Sequence, residues 1–244
     1  MIIYNTAFSI SDMDFLRENK LGLELFHYAE PDFLDDFDNS KYEIAAYMQG
    51  MNGVSMHGSY LDLFYTSKDK LICEVVKKRF LQIIEAAKFH SIKSVVFHSP
   101  YREYYQKDNF IKKSVEFWLE FEKNIPDDIT IFIENIEDND PETFIKVIEN
   151  INNSKIRCCF DIGHANCNSN IPINNWIDTL GDKIGHIHLH DNNGKSDEHL
   201  SLGKGNIPLV GAINKLIKLQ NVPFVLECNL KESIKWLKDF EFYG

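Results

Sequence analysis

The chain has 244 residues, 44% of them apolar and 26% charged, with a formal net charge of -11. That is a soluble globular composition, and the acidic balance argues against a broad nucleic-acid or anionic-membrane surface, since either partner needs a basic patch. Five cysteines with no C-x-x-C pair, no apolar run of membrane-spanning length and no signal peptide at the N-terminus predict reduced thiols in a cytoplasmic protein.

From the N-terminus onward one unit repeats, a short apolar run followed by a longer helical stretch. The runs are 2–8, 22–28, 53–57, 92–98, 129–134, 156–161, 184–190 and 223–228. They are rich in Val, Ile and Phe, as strands buried on both faces should be. The clearest helix falls between the third and fourth runs, at 68–89, where Leu71, Val75, Val76, Phe80, Ile83, Ile84 and Ala87 recur at helical spacing. Residues 108–123 follow the same pattern. So do residues 141–150, with Asp140 as N-cap and Pro141 at the first helical position. Eight strands alternating with eight helices, with no linker or low-complexity tract, predict an α/β fold, a single (β/α)8 TIM barrel over residues 1–244. An open doubly wound sheet has the same alternation, but its glycine-rich fingerprint after the first strand is missing.

The chemistry of such a barrel sits where its strands end, and here those ends are polar. His57, His98, Glu134, Asp161, His188 and Glu227 close six successive strands. Period-two alternation sends Ile187 and Leu189 to the helix layer, which turns His186, His188 and His190 inward. Likewise Val95 and Phe97 face out, so His98 faces in, and Phe132 shares the inner face with Glu134. Several carboxylates in one narrow space repel one another unless a cation joins them. Imidazoles and carboxylates without a thiolate suit zinc, manganese, cobalt or magnesium. His186 and His190 are expected to orient the ligands. A solvated His90 is expected at a helix end.

The loop after the seventh strand adds Asp197 and His199, a D-x-H pair that can close on a metal from one side. The stretch from Ser201 to Pro208 carries Lys204 between two glycines, and Asn206 is placed to cap the next helix. A helix start beside Lys204 could hold a phosphate; an ordinary loop-to-helix turn reads equally well.

Together, Met56-His57-Gly58-Ser59-Tyr60, Val96-Phe97-His98, Ile133-Glu134-Asn135, Phe160-Asp161-Ile162-Gly163-His164, His186 through Asp191, Asp197-Glu198-His199 through Gly205, and Leu226-Glu227 resemble the xylose isomerase-like TIM barrel superfamily. The resemblance runs from about the third strand to the eighth and implies a divalent metal, one to three ions. In the sugar isomerase and epimerase branch it implies one ion held by Glu134, Asp161, His188 and Glu227. There the two glutamates move a proton through an enediolate. His164 contacts the substrate, a small sugar or sugar phosphate, with Tyr60 and Lys204 as further contacts. In the endonuclease IV branch it implies three zinc ions held by those four residues with His57, His98, His164, Asp197 and His199, cutting DNA at abasic sites. The loop after the second strand, with Glu30, Asp32, Asp35, Asp36 and Asp38 and no Lys or Arg, would repel a phosphate backbone, as would Glu137, Asp138 and Asp140. The isomerase reading is therefore the expectation and the zinc phosphodiesterase its alternative.

Overall fold

Strong alternation between sheet-forming and helix-forming stretches resolves, in a computed structural model describing residues 1–7 and 9–243, into eight parallel strands that pair in chain order and close on themselves. The elements are β1 (Ile2–Asn5), α1 (Ile10–Glu18), β2 (Gly22–Leu25), α2 (Pro31–Asp35), α3 (Phe37–Tyr47), β3 (Val54–His57), α4 (Lys70–His90), β4 (Ser94–His98), α5 (Lys107–Phe121), β5 (Thr130–Glu134), α6 (Pro141–Ile151), β6 (Ile156–Asp161), α7 (Ile162–Asn168), α8 (Ile173–Leu180), β7 (Ile184–Leu189), α9 (Leu209–Leu216), β8 (Pro223–Leu226) and α10 (Leu230–Asp239). This is the (β/α)8 barrel expected.

The strands are shorter than their apolar runs. Phe8, at the end of the first run, lies outside the described residues. The second run leaves the ladder after Leu25, and His27–Ala29 form a 3-10 turn. Two crossovers carry a pair of helices where one was expected, α2 with α3 and α7 with α8. In the second case the cause is local: the Asp161 carboxylate accepts from the His164 backbone N–H at 2.6 Å and starts α7 directly at the strand end. Asp140 caps α6 as expected, accepting from the Glu142 N–H at 2.9 Å, with Pro141 next to it. Leu71 and Val75, read as part of the buried stripe of α4, are instead 68% and 53% exposed, because the stripe begins only at Val76.

Inward and outward positions separate as alternation requires. Leu23, Leu25, Met56, Val95, Phe97, Ile131, Ile133, Phe160, Ile187, Leu189, Phe224 and Leu226 join the large core between strands and helices. Val96, Phe132 and Cys159 form a small separate cluster inside the barrel. Register brings the polar ends level: His98 pairs with Glu134, and Asp161 with His188. The second pairing depends on an irregularity, since Cys158 lies opposite Ile184 but Cys159 lies opposite His186. The skipped Gly185 has no room for a side chain beside Phe132 and Arg157. No disulfide joins the cysteines among the described residues, and no described helix is long and apolar enough to cross a membrane.

Candidate metal centre

Four strand ends converge on one point. His188 Nδ1 lies 3.1 Å from Glu134 Oε1, 3.4 Å from Glu227 Oε1 and 3.9 Å from Asp161 Oδ2. One ligand atom from each of the four residues falls within 4.8 Å of the others. All four side chains are buried, and Asp161 Oδ2 has no hydrogen-bond partner among the described residues. A buried carboxylate oxygen left unpaired is costly, and a divalent cation among these oxygens would satisfy it. The donor set, three carboxylates and one imidazole, suits a borderline-to-hard ion. The two glutamates are driven apart. Burial would raise Glu134, but His188 and His98 hold its carboxyl well below the usual range. Burial pushes Glu227 up, and the charges of Glu134 and Asp161 add to that rise against the opposing pull of His188 and His57.

A second group shares Glu134. His57 Nε2 and His98 Nε2 each lie 3.4 Å from Glu134 Oε2 and 3.1 Å from one another. His57 Nδ1 donates to the Gly58 carbonyl at 2.9 Å, so its Nε2 presents a lone pair to the cluster. Burial pushes His98 down to about 3, which keeps that imidazole neutral and able to ligate.

A third group sits nearer the surface. Asp197 Oδ2 lies 3.2 Å from His164 Nε2 and 3.0 Å from His199 Nε2. His164 Nδ1 donates to the Asn135 carbonyl at 3.0 Å and His199 Nδ1 to the Glu227 carbonyl at 2.7 Å, so both rings turn Nε2 toward Asp197. Burial would lower His164, yet Asp161, Asp197 and Glu134 raise it well above the ordinary imidazole value. The aspartate likewise raises His199 to about 9 against burial. Geometry that draws protons onto these nitrogens can hold a cation in their place. All nine sequence-predicted ligand positions thus fall into three adjoining groups.

A cavity of about 160 Å³ opens onto them, lined by Thr6, Phe26, Tyr60 and seven of the nine residues, Glu134 and Glu227 included. Tyr60 stacks on His98 with ring centroids 4.4 Å apart. Lys204 is not brought to this cavity; it lines a groove beside Trp236 and Glu232. Nor are the neighbouring N–H groups free for a phosphate. Asp191 Oδ2 accepts from Gly203 and Gly205, and Oδ1 from Ile207. Asn206 does not cap α9, which starts after Pro208; its side chain bonds the Asn193 carbonyl and Asn166. His90 is not simply solvated, since its Nε2 lies 2.7 Å from the Tyr28 hydroxyl.

Glu24 was missed. It is completely buried inside the barrel, where its Oε2 lies 2.8 Å from His186 Nε2 and accepts from the Ser55 hydroxyl at 2.7 Å. Its Oε1 is 2.8 Å from His188 Nε2, off the line of a hydrogen bond. The sequence held the signal, because Glu24 alternates with outward-facing Leu23 and Leu25.

Residues 19–240 match the family model described as xylose isomerase-like TIM barrel. The uncharacterized protein MJ1614 of Methanocaldococcus jannaschii is 34% identical over 184 residues, covering 68% of this chain and 70% of that protein. MJ1311 of the same organism is 35% identical over 98 residues, 39% of this chain but only 33% of that protein. Among solved structures, the TTHB071 protein from Thermus thermophilus, soaked with ZnCl2, matches with a TM-score of 0.83 at 20% identity, covering 100% of this chain and 99% of that one. A D-tagatose 3-epimerase-like protein matches with a TM-score of 0.73 at 24% identity, covering 99% and 97%. Strand-end residues, barrel closure and a family match that spans all but the first strand and helix agree: the chain belongs to the xylose isomerase-like TIM barrel family.

Proposed function

We propose that this chain is a divalent-metal-dependent isomerase or epimerase of a small sugar or sugar phosphate. The observation that carries the reading is the pair Glu134 and Glu227. Both face the 160 Å³ cavity, and their surroundings push their carboxyls in opposite directions. Two carboxyls separated in this way are suited to act as base and acid on one substrate. The cavity, on the order of five waters in volume, suits a compact molecule. The likeness to a D-tagatose 3-epimerase-like protein supports a sugar.

Glu134, Asp161, His188 and Glu227 would hold the ion, which when bound supplies Lewis-acid stabilisation of a developing oxyanion. One glutamate removes the proton beside the substrate carbonyl and the other returns one, through an enediolate. Tyr60 and Phe26 wall the cavity, and His164, whose ring nitrogens are turned to the Asn135 carbonyl and to Asp197, would touch a substrate only with its ring edge.

A zinc phosphodiesterase is the second reading, favoured by the two outer groups, because clustered ions stabilise both oxygens of an in-line displacement. The acidic segments counted against it are partly neutralised: Asp35 pairs with Arg79, Glu137 with Arg102 and Asp140 with Lys107. The test is solvent-deuterium exchange into a panel of ketoses and ketose phosphates. Glu134→Gln and Glu227→Gln should each lower exchange by about 10²–10⁴-fold. No exchange from any sugar, with salt-sensitive incision of an abasic-site duplex, would replace the first reading by the second.

A further inference from the structure

His190 belongs to neither the inner group nor the pair beside Glu134. It is completely buried, and neither ring nitrogen has a hydrogen-bond partner among the described residues. An imidazole in that state is costly unless something else occupies a nitrogen. Its Nε2 lies 3.4 Å from Asp197 Oδ1 and 3.3 Å from Asp161 Oδ1. Its ring lies parallel to that of His199, centroids 4.1 Å apart. Room for it is kept by Gly163, where any Cβ would collide with the imidazole. One ligand atom each from His164, His190, Asp197 and His199 falls within 4.8 Å of the others.

We infer that His190 is the fourth protein ligand of the outer ion, and that this ion is a closed structural clasp rather than a participant in the chemistry. Three imidazoles and one carboxylate fill a tetrahedral zinc. Structural zinc sites take four protein ligands, whereas catalytic ones keep a position for water or substrate. The four residues come from the first turn of α7, the residue after β7 and the loop that returns through the Asp191–Leu200 bridge. An ion there fastens residues 191–200 across the barrel mouth. The inference rests on the metal part of the proposed function and not on its substrate. It also gives His164, Asp197 and His199 a part at a centre whose reaction needs only the inner four.

The experiment uses cobalt(II) as a probe on the full chain stripped of metal. The spectrum of wild type minus that of His199→Ala isolates the outer ion. His199 is partly exposed, so that variant should keep its fold. The expected result is a drop of one bound ion and a strong visible band of four-coordinate cobalt. In His190→Ala the outer ion should bind more weakly by over about 100-fold, more than loss of an orienting partner costs. The inner ion should be unchanged, and residues 191–200 should become open to protease. A weak five- or six-coordinate spectrum for the wild-type outer ion overturns the inference. So does unchanged outer affinity in His190→Ala, or loss of the inner ion in its place, which would make His190 a positioning residue for Asp161. The wild-type spectrum decides even if His190→Ala does not fold. Neither readout involves a sugar, so failed sugar exchange beside a four-coordinate outer ion would sink the isomerase reading and leave the clasp standing.

Discussion

Glu24 sits inside the barrel between two histidines, one of which, His188, turns its other nitrogen to the inner group. Burial alone would raise its carboxyl, but His188 and His186 hold it well below the usual range, so it stays charged. A carboxylate charge 2.8 Å behind a ligating imidazole strengthens the lone pair that the ring offers to a metal. Glu24→Gln keeps the shape and removes the charge. It should weaken inner-ion affinity by about 10–100-fold, measured by competition with a chromophoric chelator. Unchanged affinity in a folded variant would reduce Glu24 to packing. Residues at this depth were the hardest to read from sequence. His57, Glu134 and Asp161 end their strands and His188 follows two residues after His186 on the inward face of β7, where alternation and the barrel rule identify them. Glu24 lies one residue short of its strand end, and its role appears only when β2 is set across the barrel from β7. His190 was legible as inward-facing and expected to orient other ligands, but an unpartnered ring is a property of packing, which no spacing encodes.

At the scale of elements, the β4 and β5 loops are joined by Asp138, which is buried and accepts from the Ser99 hydroxyl at 3.1 Å and the Ile136 N–H at 3.2 Å. Burial pushes its carboxyl up to about 7, and these two hydrogen bonds only partly offset it. An unfolded aspartate titrates near about 3.9. Between those values the folded chain holds a proton that the unfolded chain has lost, so this group removes stability as pH rises from about 4 to 7 and no more beyond. Asp138→Asn should therefore be more stable than wild type by roughly 2–4 kcal/mol at pH 8, with the gap closing toward pH 4.5. Denaturant unfolding at both pH values checks this; a gap that does not change with pH would show that Asp138 does not titrate in this way. The element order and the start and cap of α6 were plain in the sequence, because short apolar runs and an Asp-Pro cap are local signals. The split crossovers were not, since α7 starts on the side chain of Asp161, a residue read as a ligand. The turn around Lys204 was open between a phosphate site and an ordinary turn for a similar reason. Its N–H groups look available until Asp191, more than ten residues earlier, folds beneath them.

For the whole molecule, the candidate ligands bind the barrel's closure to its chemistry. Glu134, Asp161, His188 and Glu227 lie on or just beyond β5, β6, β7 and β8, and an unfolded chain cannot bring them together without the closure entropy of several long loops. An ion at the inner group should therefore bind the folded state almost alone. At free zinc 100-fold above its dissociation constant, one such site adds about 2.7 kcal/mol. For a domain of this length that is roughly 5–11 °C in melting temperature. The outer group should give less per ion. Asp197 and His199 are near neighbours in sequence, with His190 one short loop before them, so an unfolded chain still presents these three ligands, and binding to the unfolded state subtracts from the gain. Calorimetry of the chelator-stripped protein against the zinc-loaded protein at fixed pH would read the sum. His199→Ala, lacking the outer ion, should retain most of the increment, whereas Asp161→Asn should lose most of it. If the two variants lost equal amounts, the inner group would not be what couples metal to barrel closure.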